Sequence, residues 1–231
     1  MSFIATIFGG GSQDNTDAHK RKTIVAIVAV VVIIGSIGWL ARTMLPTTPK
    51  INLAPFIGVG ETLAEQTAKV LSGHGRIVVL RESVHLTESV VIKSQWKAFQ
   101  DSLKANSNIE IAAVENIKMT EQNPGITITR EEFDTLLKKY STVNAIVSFV
   151  GLPEEDLSRP DVPAGPTPKI IAYFYASSPA KQFFANGSVT VIIRPRLMAE
   201  VNTGATPKSP REWFNKYYQV FDESNYQTMP E

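Results

Sequence analysis

ETLAEQTAKVLSGHGRIVVL, residues 61–80, decides how the fold is read. Leu63, Ala64, Thr67, Val70 and Leu71 recur along one face of a helix, and Gly73 and Gly75 stop it. RIVVL (76–80) is a β-branched run bounded by turn residues, which predicts a buried strand. A helix feeding a short, continuously apolar strand is a building block of parallel sheets covered on both faces.

The same alternation continues along the chain. A helix is expected over Ser94–Ala105, with Trp96, Phe99 and Leu103 on one side, then a second strand in IEIAAVE (109–115). Thr129 and Glu132 form a capping box ahead of Phe133, Leu136, Leu137 and Tyr140. NAIVSFV (144–150) and KIIAYFY (169–175) read as the third and fourth strands. Ser178 and Pro179 suit N-cap and N1 of a helix that turns Phe183 and Phe184 inward and stops at Gly187. SVTVIIR (188–194) is the fifth strand. Ser209, Pro210 and Glu212 repeat the cap signature before WFNKYYQVF (213–221), read as one helix with Trp213, Tyr217, Val220 and Phe221 on it. The expectation for residues 60–231 is therefore an α/β domain: a mostly parallel five-stranded sheet in three layers.

Upstream, Thr23–Ala41 carries no charge over 19 residues. As a helix it spans about 28 Å, close to the hydrocarbon thickness of a bilayer. Lys20, Arg21 and Lys22 flank its N-terminal side and only Arg42 lies close on the other. The positive-inside rule then makes residues 1–22 a cytoplasmic tail, 23–45 a single transmembrane helix, and the rest extracytoplasmic. A cleaved signal peptide is the competing reading, against which stand the length of the apolar run and the lack of a clear A-x-A site. Pro46, Pro49 and Pro55 mark residues 46–59 as an extended linker.

Composition removes several functions. Net charge is +1, which argues against a partner bound by phosphate neutralisation, so no nucleic acid is expected. The absence of cysteine removes disulfides, thiolate nucleophiles and Cys-type zinc sites. His74, in SGHG, and His85 have no partner at metal or catalytic spacing and read as solvent-facing loop residues. Glu154, Glu155 and Asp156 lack the spacing of a calcium loop and read as a solvated stretch. Glu131 and Glu132 are explained by the helix dipole. No G-x-G-x-x-G, P-loop or G-x-S-x-G occurs. No catalytic residue, cofactor or metal is expected.

ETLAEQTAKVLSGHGRIVVL, QWKAFQDSLKANSNIEIAAVE (95–115), EEFDTLLKKYSTVNAIVSFV (131–150) and KIIAYFYASSPAKQFFANGSVTVIIRPR (169–196) together resemble one lobe of the type I periplasmic binding proteins, the sugar-binding and LacI-like group. The resemblance covers roughly residues 60–196. It implies a ligand site at the carboxyl ends of the strands, around Ser83, Gly151 and Tyr175. The chain departs from that pattern in three ways. It leaves no room for a second lobe, and the family's acidic position after the fourth strand falls near Tyr175. LPEEDLSRPDVPAGPTP (152–168) carries five prolines where the family runs a helix.

The missing helix leaves apolar sheet surface to be covered by the C-terminal aromatic helix, by the proline-rich loop or by a partner. The first expectation is thus a non-catalytic accessory or scaffold subunit of the cytoplasmic membrane. Trp213, Tyr217, Phe221, Leu152 and Leu157 would contact the bilayer, other subunits or a second copy. The alternative is a tethered sensor of a small, sugar-like molecule, using Ser83, Gly151 and Tyr175.

Overall fold

The computed structural model describes residues 14–44, 51–83, 89–118, 128–153, 167–174, 180–197 and 205–230. The chain divides into two units, Met1–Ile51 and Asn52–Glu231.

The first unit contains helix α1, Asp14–Met44. Its described side chains, those of residues 25–40, are exposed, from Val25 at 68% to Trp39 at 70%. Among the described residues no helix is long and apolar enough to cross a membrane.

The second unit is an α/β domain. Its elements are α2 (Ala54–Val70), β1 (His74–Ser83), α3 (Val90–Asn106), β2 (Asn108–Lys118), α4 (Arg130–Lys139), β3 (Ala145–Ser148), β4 (Lys169–Tyr173), α5 (Lys181–Ala185), β5 (Val191–Pro195), α6 (Pro210–Tyr217), β6 (Tyr218–Asp222) and a 3-10 turn at Tyr226–Thr228. The strands form one sheet in the order β2-β1-β3-β4-β5-β6. All neighbours are parallel except β5 and β6.

Three expectations change. The sheet has six strands rather than five, because the stretch read as one helix over 213–221 splits. Residues 210–217 are helical, and Tyr218–Asp222 pairs antiparallel with β5, Ile192 facing Phe221. Tyr218 and Phe221 thereby enter opposite cores. The linker ends earlier than residue 59: α2 begins at Ala54 with Pro55 in its first turn, where a proline lacks only a hydrogen bond the helix start cannot make. Helix α3 also starts earlier, capped by the Ser89 hydroxyl, which accepts from Val91 N at 3.3 Å.

Alternation along the strands builds two cores. Ile77, Val79, Ala145, Val147, Ile171, Tyr173, Val191 and Ile193 meet Leu63 of α2, Phe99 of α3 and Phe214 of α6. Val78, Leu80, Ile146, Ile170, Ala172 and Ile192 meet Phe133 of α4, Phe183 and Phe184 of α5, and Met229. Helix α6 therefore packs on the α2 face and does not cover the place of the missing helix. Residues from the 3-10 turn onward pack instead beside α5, on the other face: Tyr226 stacks on Phe184 at 5.2 Å, and Met229 is 1% exposed.

Two of the three expected capping signatures form among the described residues. Thr129 Oγ1 accepts from Glu132 N at 3.2 Å while Glu132 Oε2 accepts from Thr129 N at 3.0 Å. Ser209 Oγ accepts from Glu212 N at 3.2 Å, with Pro210 in the first turn. Helix α5 follows Ala180 as its N-cap, and Ser178 and Pro179 lie outside the described residues. Gly187 follows α5 with φ +68°, a left-handed stop suited to glycine. At the outer edge of the sheet, β2 carries one extra residue: Ile77 pairs with Ile111 and Val78 with Ala113, leaving Ala112 as a bulge.

Candidate functional site

In open parallel sheets the ligand position is the crevice at the carboxyl ends of the strands, where the strand order reverses. Here the order reverses between β1 and β3. The two strands pair from Ile77–Ala145 to Leu80–Ser148. Strand β1 then continues through Arg81, Glu82 and Ser83 beside Asn116, Ile117 and Lys118 of β2, whereas β3 turns away. A step results, with β1 and β2 as its wall and the turn after β3 as its floor.

The floor is tightly made. Phe149 N donates to Leu80 O at 2.8 Å. The buried Ser148 hydroxyl donates to Gly151 O at 2.5 Å and accepts from Val150 N at 3.3 Å. Gly151 adopts φ +73°, a conformation that side chains disfavour. Above the floor, Arg81 Nε donates to Asn116 Oδ1 at 2.9 Å, and its guanidinium lies 5.6 Å from the centre of the Trp96 ring. Trp96, Phe99 and Phe149 form an aromatic cluster with ring centres 5.3–6.1 Å apart. The region thus combines an aromatic face, a guanidinium held against it and a half-buried Ser83 hydroxyl, the mixture of apolar surface and a few polar groups typical of small-molecule sites.

The residues expected at a site divide accordingly. Ser83 and Gly151 fall on the same step. Tyr175 lies outside the described residues, as do Leu157, His85 and the acidic stretch 154–156. Arg81 and Trp96 join the site without having been expected there, and Phe149, 5% exposed, packs beneath Trp96 as part of the core. In the sequence Trp96 and Phe149 carry only core-packing signals, and no local pattern couples Arg81 to a residue fifteen positions away. Of the expected partner contacts, Leu152 is 5% and Phe221 1% exposed, so both belong to the core and offer a partner no area. Phe221 is buried because its strand pairs with β5. Trp213 and Tyr217 remain half-buried on α6, their rings stacked at 5.6 Å and within 1° of parallel.

Two further residues complete the electrostatics. His74 is exposed at the opposite end of the sheet, its Nδ1 2.9 Å from Ser72 O. Arg194, near the end of β5, is 2% exposed. Its Nη1 donates to Pro230 O at 2.9 Å, its Nε has no partner among the described residues, and burial lowers its pKa. Among the described residues no group of acidic or histidine side chains is placed to hold a metal ion.

No protein-family model matches the chain, and no curated protein matches it. Solved structures do. An ABC-transporter solute-binding protein from Burkholderia graminis, in complex with D-arabinose, aligns with a TM-score of 0.51 at 12% identity, over 76% of this chain and 62% of its own. A sugar-binding protein of a Bacillus halodurans ABC transporter gives 0.51 at 16%, over 75% and 64%. An arabinose-binding protein from Geobacillus stearothermophilus gives 0.50 at 13%, over 76% and 63%.

The chain shares the periplasmic-binding-protein fold.

At this identity the likeness concerns fold alone, and the chain spans less than two thirds of the length of these relatives. These neighbours are solute-, arabinose- and sugar-binding proteins. The resemblance carried by residues 60–196 thus holds for the α/β architecture.

Proposed function

We propose that the second unit is a non-catalytic, tethered receptor for a small, sugar-like molecule, taken at the step between β1 and β3. The carrying observation is that step itself: a strand-order reversal flanked by Arg81, Ser83, Trp96 and Gly151, in a fold shared with solved sugar-binding proteins. In this reading Arg81 donates hydrogen bonds to ligand hydroxyls, the Trp96 ring offers an apolar face, and Gly151 lets the ligand approach the backbone. The apolar run Thr23–Ala41 anchors the receptor, with Lys20, Arg21 and Lys22 on the cytoplasmic side and the domain outside.

The test is thermal melting of the full chain in detergent against a panel of neutral pentoses and hexoses. A saturable rise in Tm that Arg81→Ala removes is expected; a ligand at a hundred times its Kd contributes about 2.7 kcal/mol. A Tm unmoved by every sugar overturns the receptor reading. Protease accessibility in sealed vesicles tests the anchor separately: digestion of the domain from the cytoplasmic side would overturn the orientation.

A second reading, an accessory subunit of a membrane complex, is favoured by one observation. The coplanar Trp213–Tyr217 stack stays half-exposed beside a buried Phe214, as an aromatic anchor for a partner would. Stoichiometric co-purification of other membrane proteins, lost in Trp213→Ala, supports it.

A further inference from the structure

Strand β2 carries one residue more than β1 just beyond Ile77, and that residue decides what stands beside Arg81. Ile77 pairs with Ile111; past the bulge Val78 pairs with Ala113, Leu80 with Glu115 and Arg81 with Asn116. A register kept without the bulge would set Glu115 level with Arg81 and on the same face of the sheet. The extra residue turns Glu115 over. The two cores record the exchange. Ile111 packs with Ile77 and Val79 on the α3 side, whereas Ala113 and Ile117 join the core on the α4 side. Glu115 therefore meets Lys139 and Tyr140 at the end of α4, and Arg81 meets a neutral amide, its Nε donating to Asn116 Oδ1 at 2.9 Å. One pleat further on, Ser83 pairs with Lys118. By alternation Ser83 shares the face of Arg81 and Lys118 that of Asn116, while Glu82 and Ile117 lie on the other face. Lys118 is exposed and makes no hydrogen bond or ion pair among the described residues. The end of the wall thus presents two cations about 7 Å apart along the strands, an amide and a hydroxyl, and neither strand places a carboxylate there.

We infer that the step between β1 and β3 takes an acidic sugar, one bearing a carboxylate, in preference to the neutral sugar of the same configuration. This rests on the receptor reading of that step and adds the charge of its ligand. The ligand carboxylate occupies the level that the Glu115 carboxylate would hold in a sheet without the bulge, beside the Arg81 guanidinium. The Lys118 ammonium stands one pleat further out, a separation that a six-membered sugar ring carrying a carboxylate spans. Hydrogen bonds from either cation to a carboxylate are about twice as strong as those to a neutral hydroxyl. The remaining sugar hydroxyls meet the Ser83 hydroxyl and the Asn116 amide, and the ring lies against Trp96. The selection comes from the cross-strand neighbours, an amide and an ammonium where carboxylates could have stood. Bulges beside binding sites commonly re-aim a side chain in this way.

Calorimetric titration of the full chain in detergent tests the preference with two matched pairs, D-galactose against D-galacturonate and D-glucose against D-glucuronate. The members of each pair differ at a single carbon. In at least one pair the acid is expected to bind about tenfold or more tightly at low salt. That advantage should shrink as salt is raised, while the affinity for the neutral sugar holds. Asn116→Asp returns a carboxylate to the level of Arg81 in almost the same volume and should bring the ratio of the two affinities near one. Lys118→Gln, at an exposed position, should lower it severalfold. A parent that binds the acid no better than the neutral sugar overturns the inference and leaves the receptor reading standing. An advantage that survives in both folded variants places the carboxylate elsewhere and overturns it as well. A folded parent that binds neither class defeats the receptor reading, and this inference with it.

Discussion

Gly60 packs directly on the backbone of Gln95. A methyl group at residue 60 would overlap the Gln95 carbonyl oxygen and lie 3.0 Å from Phe99 N. Gly58, two residues earlier, is closed in the same way by Pro210, and a methyl there would also lie 2.8 Å from Phe214 Cβ. Helix α2 is thus held between α3 and α6 at two glycines. Gly60→Ala is expected to cost about 2 kcal/mol or more, although alanine is the better helix former by about 1 kcal/mol. Chemical denaturation measures it; a gain in stability would mean that α2 and α3 separate freely.

Glu115 of β2 accepts from Lys139 Nζ at 2.7 Å and from the Tyr140 hydroxyl, tying the end of α4 to the edge of the sheet. These hydrogen bonds, with the lysine charge, hold its carboxyl below the usual carboxylate range despite partial burial. A folded-state pKa below the unfolded one means that the stabilisation is full above the unfolded value, about 4.3, and disappears as pH falls through the folded one. Melting curves from pH 6 to pH 2 should therefore fall less steeply below about pH 4 in Glu115→Gln than in the parent. Parallel slopes would show that the ties add nothing.

Arg194 is a buried cation whose one hydrogen bond among the described residues goes to a backbone carbonyl. Burying charge without a counter-ion is costly, and apolar replacements of similar volume are often tolerated or stabilising. Arg194→Met is expected to stay within about 1 kcal/mol of the parent or exceed it. A loss beyond about 2 kcal/mol, measured by denaturant titration, would show that the guanidinium holds residues near Pro230 more firmly than one hydrogen bond implies.

Phe221 and Trp213 look alike in the sequence, as aromatic residues of one amphipathic run, and should separate cleanly in experiment. Phe221→Ala removes a core side chain 1% exposed and is expected to cost about 3–5 kcal/mol. Trp213→Ala acts on a half-buried ring and should cost less than half of that while releasing any partner that grips the aromatic stack. Equal destabilisation by both would make Trp213 a core residue.

Much of the architecture is legible in the sequence because it is written locally. The 61–80 stretch, the Thr129–Glu132 box and the Ser209-Pro210 cap each contain their own signal within a few residues. Pro55 misleads because the same ring that stiffens a linker also suits the first turn of a helix. Residues 218–222 mislead because Val220 and Phe221 continue the helical spacing of Trp213 and Tyr217, while the pairing that makes them a strand comes from β5, more than twenty positions earlier. Ser83 and Gly151 can be placed from topology alone. Arg81 and Trp96 cannot, since their meeting depends on how α3 returns across the end of β1.

Met229 has a consequence for how the molecule is made. It lies in the same core as Val78 and Leu80, about 150 residues upstream, and Tyr226 closes over Phe184 beside it. That core cannot reach its final density while residue 229 is still being synthesised, so the emerging chain waits with its sheet incompletely sealed. Sealing one core across so long a stretch of chain predicts folding that finishes only after residue 229 is available. It also predicts that chains cut at residue 225 are recognised by chaperones and proteases rather than persisting as partly folded domains.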